Sequence, residues 1–258
     1  MDTVEFGRTG LRVSRLSFGT GTHGLGGRSE QTDLGVKRLA DLLRLAYDHG
    51  VNFWDSADMY GSHPHIAKAL AGLPRDKVVI ATKTSARSAE QTAQDVERFL
   101  RELGTDVIDV VLLHFMTQAD WPRSHAGAME ALSRAKEQGK VRAVGVSCHG
   151  LGPLRAAAET DWAEVVLACI NMAGVNMGAS PTEVVPVIER LYTSGKAVWG
   201  MKVLGCGRLA GKAHAAIQYV LKLGIVHAIV IGTSAKGQLL ENVKAVEELA
   251  PRYPLRTL

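Results

Sequence analysis

The sequence predicts an α/β protein built as a (β/α)8 TIM barrel with a short N-terminal hairpin, and three observations predict it. Short β-rich apolar runs alternate with longer amphipathic stretches about eight times along the chain. Most of these runs are nearly continuous in Val, Ile, Leu and Ala, as strands buried on both faces must be. The 258 residues, 46% of them apolar, suit one barrel spanning 1–258.

The opening stretch Thr3–Val13, with Gly7 and Gly10 at turns, reads as a hairpin closing one barrel end. Barrel strands are predicted near Leu16–Gly19, Val51–Trp54, Val78–Thr82, Ile108–Leu113, Val141–Val146, Val165–Cys169, Ala197–Met201 and Ala228–Ile231. Between them, Asp33–His49 carries Leu34, Leu39, Leu42, Leu43 and Ala46 along one helical face, and Ser88–Leu103 has Ser88 as its N-cap. Gly50, Gly104, Gly139, Gly195 and Gly224 each follow a helical pattern, where a left-handed terminal residue is cheap only for glycine. No linker or low-complexity tract divides the chain. The connections after the seventh and eighth strands are short, and only Pro251–Leu258 follows the last helix, so the cleft is expected to be open.

Composition narrows the function. The net charge of +4 is spread along the chain, which is not the footprint of a nucleic-acid binder. Cys148, Cys169 and Cys206 form no C-x-x-C pair, so no zinc or iron–sulfur site is written locally, and a reduced, cytoplasmic protein is expected. No apolar run approaches the ~20 residues that cross a bilayer, and no secretory leader is read at the start. His23, His63, His65, His125 and His149 follow strand ends, but only His63 and His65 lie close together, so no metal is expected. The oligomeric state stays open.

In a barrel of this kind chemistry gathers at the C-terminal strand ends. Asp55, Lys83 and His114 each end an apolar run, and Tyr60 lies five residues past Asp55. Hydride addition to a carbonyl generates an alkoxide, so a group must donate a proton as that bond forms. A phenol is a reluctant acid, with an ordinary pKa of ~10. An ammonium such as Lys83 would ease proton release, Asp55 would hold that ammonium charged, and His114 would orient the carbonyl oxygen. Singly, each residue has an ordinary explanation as a helix cap, a solvated lysine or a packing residue. Their placement on one rim, at three successive strand ends, argues for a site.

Over nearly its whole length the sequence resembles the aldo-keto reductases. The resemblance rests on Phe6-Gly-Arg-Thr-Gly-Leu-Arg-Val-Ser, Phe18-Gly-Thr-Gly, Asn52-Phe-Trp-Asp-Ser-Ala-Asp-Met-Tyr-Gly61, Ile80-Ala-Thr-Lys83 and Leu112-Leu-His114. It implies NAD(P)H-dependent reduction of an aldehyde or ketone, with Tyr60 as general acid assisted by Lys83, Asp55 and His114. It also implies a cofactor cradle: Gly19, Thr20 and Gly21; Ser147 and Cys148 in Val144-Gly-Val-Ser147 and the residue after it; Met201, Lys202 and Leu204; and Gly232, Thr233, Ser234, Lys236, Gln238, Glu241 and Asn242. Gly232 would let backbone approach phosphates, and a helix N-terminus favours anions.

Several positions depart from the family pattern. Cys148 and His149 stand where the best-known members place Asn after the Ser, and Leu167 takes the position of a Gln, with Asn171 a substitute further on. Met201 and Lys202 replace the segment carrying an aromatic nicotinamide platform. Lys202 is read either as a partner for a cofactor phosphate or anionic substrate, or as a stem packed on the rim with its head in water. An expected Arg is Gln238, with Lys236 as a weaker stand-in. NADPH is the cofactor expected from the resemblance, with NADH as the alternative. Two other functions stay open: an epimerase or lyase that oxidises its substrate transiently on bound NAD(P), and a cofactor-sensing binding subunit.

Overall fold

The computed structural model describes residues 1–257. Eight parallel strands close into a barrel: β3 (Leu16–Gly19), β4 (Phe53–Asp55), β5 (Val79–Thr84), β6 (Ile108–Met116), β7 (Val141–Cys148), β8 (Val165–Cys169), β9 (Ala197–Met201) and β10 (Ala228–Gly232), with β10 returning to β3. Helices outside the barrel connect them, as the predicted TIM barrel requires. The register sets Gly232 beside Gly19 and Gly19 beside Asp55, so these three form one edge of the C-terminal rim.

Five strands run past their predicted ends, β7 to Cys148 and β10 to Gly232 among them. β4 includes Asp55, β5 includes Lys83 and β6 includes His114. Polarity is a poor stop signal here because ladder pairing continues, with Lys83 opposite Leu112, while the side chains turn into the barrel mouth. β6 is irregular between Leu113 and Met116, and Phe115 takes φ +62. Such bulges re-aim side chains next to functional sites.

The first long helix is shorter than predicted. Thr32–Leu34 forms a separate 3-10 turn, Gly35 at φ +82 breaks the chain, and α1 runs Val36–Asp48. Leu34 therefore leaves the helix, and its buried face is Leu39, Ala40, Leu43 and Ala46. Ser88 caps the helix Ala89–Leu103 as predicted, its hydroxyl accepting from the Gln91 N–H at 3.2 Å. All five glycines predicted to end helices have φ between +65 and +82.

The hairpin forms from β1 (Thr3–Glu5) and β2 (Arg12–Ser14) and plugs the N-terminal barrel end. Phe6 is fully buried, edge-on to Phe53 at 5.3 Å and to His227 at 6.0 Å. At Gly7 (φ +55) a Cβ would stand 2.5 Å from the Ala197 backbone nitrogen, so only glycine lets this turn lie on the start of β9. Phe53 stacks on Trp199 at 4.4 Å, and Lys83 lies 5.8 Å from the Trp199 ring. An aromatic column thus rises from the hairpin towards the C-terminal strand ends. The tail after the last helix, Lys236–Leu249, packs elsewhere: Arg256 N–H donates to Gly224 O at 2.8 Å, and the Tyr192 hydroxyl donates to Arg256 O at 2.5 Å. None of the tail's described residues lines the C-terminal mouth.

Candidate active site

A cavity of about 1150 Å³ opens at the C-terminal strand ends. Asp55, Tyr60, Lys83 and His114 all line it. Lys83 is 1% exposed; its ammonium is ion-paired to Asp55 and donates to Ser56 O at 2.7 Å. Burying a lysine disfavours its charge, and burying a carboxylate does the same. Desolvation accordingly pulls Lys83 down and pushes Asp55 up, while each partner opposes the other's shift.

The Tyr60 hydroxyl lies 3.3 Å from His114 Nε2, and Lys83 Nζ sits 5.0 Å from the Tyr60 ring centre. Among the described residues Lys83 makes no hydrogen bond to the Tyr60 hydroxyl. Lys83 directs two of its three protons to Asp55 and Ser56, and burial, reinforced by Asp55, raises the Tyr60 pKa well above that of an ordinary phenol. The phenol is held protonated. His114 is held neutral, its pKa lowered to about 2 by burial and then by Lys83 and His149. Its Nδ1 is buried without a partner.

Gly21 and Gly24 fix the Tyr60 ring in a way the sequence did not suggest. A Cβ on Gly21 would lie 2.2 Å from Tyr60 Cε2, and one on Gly24 would lie 2.2 Å from Cδ1. The loop after β3 therefore clasps both edges of the ring, and only hydrogen at each α-carbon leaves room.

The predicted cradle assembles in part. Gly19, Gly21, Ser147, Met201, Lys202 and Leu204 line the cavity, as do Gly232, Ser234, Gln238, Glu241 and Asn242. A Cβ on Gly232 would stand 2.0 Å from Thr22 Oγ1, so the Thr22 side chain packs directly on the Gly232 α-carbon. Thr20, Cys148, Thr233 and Lys236 do not line it. Thr20 donates to Asp55 O at 2.7 Å, fastening β3 to β4. Cys148 turns into the core, 3.5 Å from Pro153 O, and burial pushes its thiol pKa up. Thr233 is buried, and Lys236 is an exposed residue at the start of its helix. Asn171 does not replace the missing glutamine either. Its amide is used within its own loop, donating to Val175 O at 2.8 Å and accepting from Val175 N at 2.9 Å, while Leu167 reaches the cavity.

One polar group in the cradle was not anticipated. Gln31 is 1% exposed; it accepts from Thr22 N–H at 2.9 Å and donates to Ser234 Oγ at 3.1 Å, tying the loops after β3 and β10. Gln238 accepts from Ser234 N–H at 3.1 Å, so the side chain at the expected arginine position serves its own loop. His149 lines the cavity beside Lys202, 4.2 Å from the Phe115 ring. His63, by contrast, is bonded to Glu102 and Thr82 at 2.7 Å and lies off the cavity. Among the described residues no helix is long and apolar enough to cross a membrane, and no cluster of three metal-ligating side chains occurs.

The Aldo/keto reductase family model matches residues 15–215. L-galactose dehydrogenase of Arabidopsis thaliana is 26% identical in an alignment covering 94% of this chain and 87% of that protein. NADH-specific methylglyoxal reductase of Escherichia coli is 28% identical over 57% of this chain, and the match spans about half (52%) of that relative's length. Among solved structures, a putative aldo-keto reductase from Pseudomonas aeruginosa superposes with TM-score 0.79 at 28% identity, covering 96% of this chain and 95% of that one.

Proposed function

Because the chain belongs to the aldo-keto reductase family, we propose that it is an NAD(P)H-dependent oxidoreductase that reduces an aldehyde or ketone, with Tyr60 as its proton donor. The observation that carries this is the convergence of Tyr60, His114, Lys83 and Asp55 on one wall of the cavity, with the Tyr60 hydroxyl 3.3 Å from His114 Nε2. A phenol whose pKa is raised still protonates an alkoxide, which is a far stronger base than a phenolate. Tyr60 thus keeps its proton until negative charge develops on the substrate oxygen and then gives it up. Neutral His114 with its proton on Nε2 donates towards the same region and leaves a bare Nδ1 inside, which costs less than a buried N–H without an acceptor. The Lys83–Asp55 pair supplies a fixed dipole beneath the ring, and its burial makes that field weakly screened.

The residues present fit a nicotinamide dinucleotide. The cavity exceeds the ~300–1,000 Å³ of most small-molecule sites. Gly232 would hold the phosphates close to backbone, with Ser234, Glu241 and Asn242 beside the nucleotide end and Ser147 and Met201 beside the nicotinamide end. The bound cofactor supplies the hydride. Leu25 and Phe115, 71% and 54% exposed, line the mouth and favour a carbonyl compound with an apolar portion. NADPH is the preferred reading from the family; one relative bears a name specific to NADH, and NADH is the alternative. Fluorescence titration with both cofactors followed by a carbonyl panel tests the proposal: binding and stoichiometric cofactor oxidation are expected. Absence of binding by either cofactor refutes it, and product formed without net cofactor oxidation would instead favour transient oxidation.

A further inference from the structure

Lys202, His149 and Ser147 are polar groups of the cavity that the proton transfer leaves unused, and they form one chain of hydrogen bonds. Lys202 Nζ lies 3.1 Å from His149 Nδ1, and His149 Nε2 lies 3.2 Å from Ser147 Oγ. An ammonium has protons and no lone pair, so Nδ1 must accept from it. The ring proton then sits on Nε2, which donates to Ser147. Burial keeps the imidazole neutral, its pKa lowered to about 3, with Lys202 and Lys83 opposing a second positive charge. The Phe115 N–H donates to the same Ser147 oxygen at 3.3 Å.

Two donors therefore fill the two lone pairs of the Ser147 hydroxyl. Its own proton has no acceptor among the described residues, yet the side chain is fully buried apart from the cavity it lines. A buried donor without an acceptor is rare unless a ligand completes it. Phe115 and Lys202 both adopt left-handed backbone, at φ +62 and +58, which sets the amide and the ammonium that impose this arrangement.

We propose that Lys202 and His149 are positioning residues that lock Ser147 as a one-way donor to an uncharged carbonyl oxygen, the carboxamide oxygen of the nicotinamide. This rests on the reading that the cavity holds that cofactor. A free serine can donate or accept, so it would tolerate either orientation of a carboxamide. The locked one recognises only the oxygen, and so one chain of three side chains does the sorting that an Asn after Ser147 would share. Cys148, at that position, faces the core.

Two measurements test this. In the ligand-free protein, nitrogen-15 NMR of the histidine rings is expected to show His149 as the neutral Nε2–H tautomer at neutral pH; an Nδ1–H tautomer or an imidazolium overturns the proposal without any ligand or variant. Dissociation constants are then compared for the reduced cofactor and for the matching ADP-ribose, which lacks only the nicotinamide. Ser147→Ala and Lys202→Met should each weaken the reduced cofactor by about five- to tenfold, the worth of one hydrogen bond, and leave ADP-ribose within about twofold. Together they should weaken it little more than either alone, because both act through one bond. Equal loss of both ligands in Lys202→Met would make Lys202 a phosphate grip and overturn the proposal, as would losses that multiply. If the wild type binds neither nucleotide, the cofactor reading itself falls, an outcome distinct from a wrong tautomer.

Discussion

Replacing Tyr60 with Phe removes one oxygen and separates chemistry from folding by magnitude. On the folding side the loss is small. The hydroxyl makes one long hydrogen bond, 3.3 Å to His114 Nε2, and both groups face a cavity that water can enter, so stability should fall by no more than about 1 kcal/mol. The ring stays where Gly21 and Gly24 hold it. On the chemical side, general acid catalysis is worth about 10²–10⁴ in rate, or roughly 3–5 kcal/mol. We expect kcat to drop by that factor, nucleotide affinity to change less than about twofold, and the urea midpoint to move slightly, read respectively from reduced-nicotinamide absorbance, fluorescence titration and circular dichroism. The pH profile adds an independent check. Because burial and Asp55 raise the Tyr60 pKa, the donor stays protonated through the alkaline range, and kcat should show no basic limb from this residue below about pH 9. A variant keeping more than about a tenth of kcat, or a wild-type limb near pH 8 that vanishes with the hydroxyl, would refute the assignment.

Gly24→Ala should mimic Tyr60→Phe in kcat while leaving the hydroxyl in place, since a methyl group 2.2 Å from Cδ1 must push the ring aside; unchanged kcat would show that the clasp positions nothing. Lys83→Met should cost about 3–5 kcal/mol of stability in urea titrations by stranding buried Asp55, and Asp55→Asn in that background should restore part of it. Gln238→Arg should raise the affinity for NADPH relative to NADH by about tenfold or more through a charge-assisted bond to the ribose phosphate, and an unchanged ratio would place that phosphate elsewhere. His227 is buried, accepts from Val198 N–H at 3.0 Å and has its pKa lowered from 6.5 to about 4. Between those values the unfolded chain binds the extra proton, so stability should fall as pH drops from 6.5 to about 4, by up to roughly 3 kcal/mol, and His227→Gln should flatten that slope.

The barrel was legible because its strands are buried on both faces and so carry an unbroken apolar signal; β8 and β9 lie at their predicted residues. What failed was polarity as an end marker. Lys83 and His114 read as the first residues beyond their strands, whereas both lie within them, because at the mouth of a barrel a polar side chain can face the cavity while its backbone stays in the ladder. The break in the first helix was hidden for a related reason. Leu34 fits the helical period, and only Gly35 at φ +82 shows that the chain turns before the helix begins.

The same contrast runs through the site. Asp55, Tyr60, Lys83 and His114 were readable because each sits at a strand end or a fixed short step from one, so local sequence determines its place. The surroundings that set their properties were not readable. Gly21 reads as a cradle residue, not as one edge of a clasp it forms with Gly24 around Tyr60, and nothing in the local sequence marks Gln31 as the group bonded to Thr22 and Ser234. Most consequential, a lysine near a phenol suggests an acidified phenol. In the folded chain burial and the Asp55 charge raise the Tyr60 pKa instead. The position of the proposed proton donor is thus set locally, but its acidity is a property of the packed barrel. It follows that substitutions around the Tyr60 ring should change the pH dependence of turnover more readily than substitutions along the strands that present it.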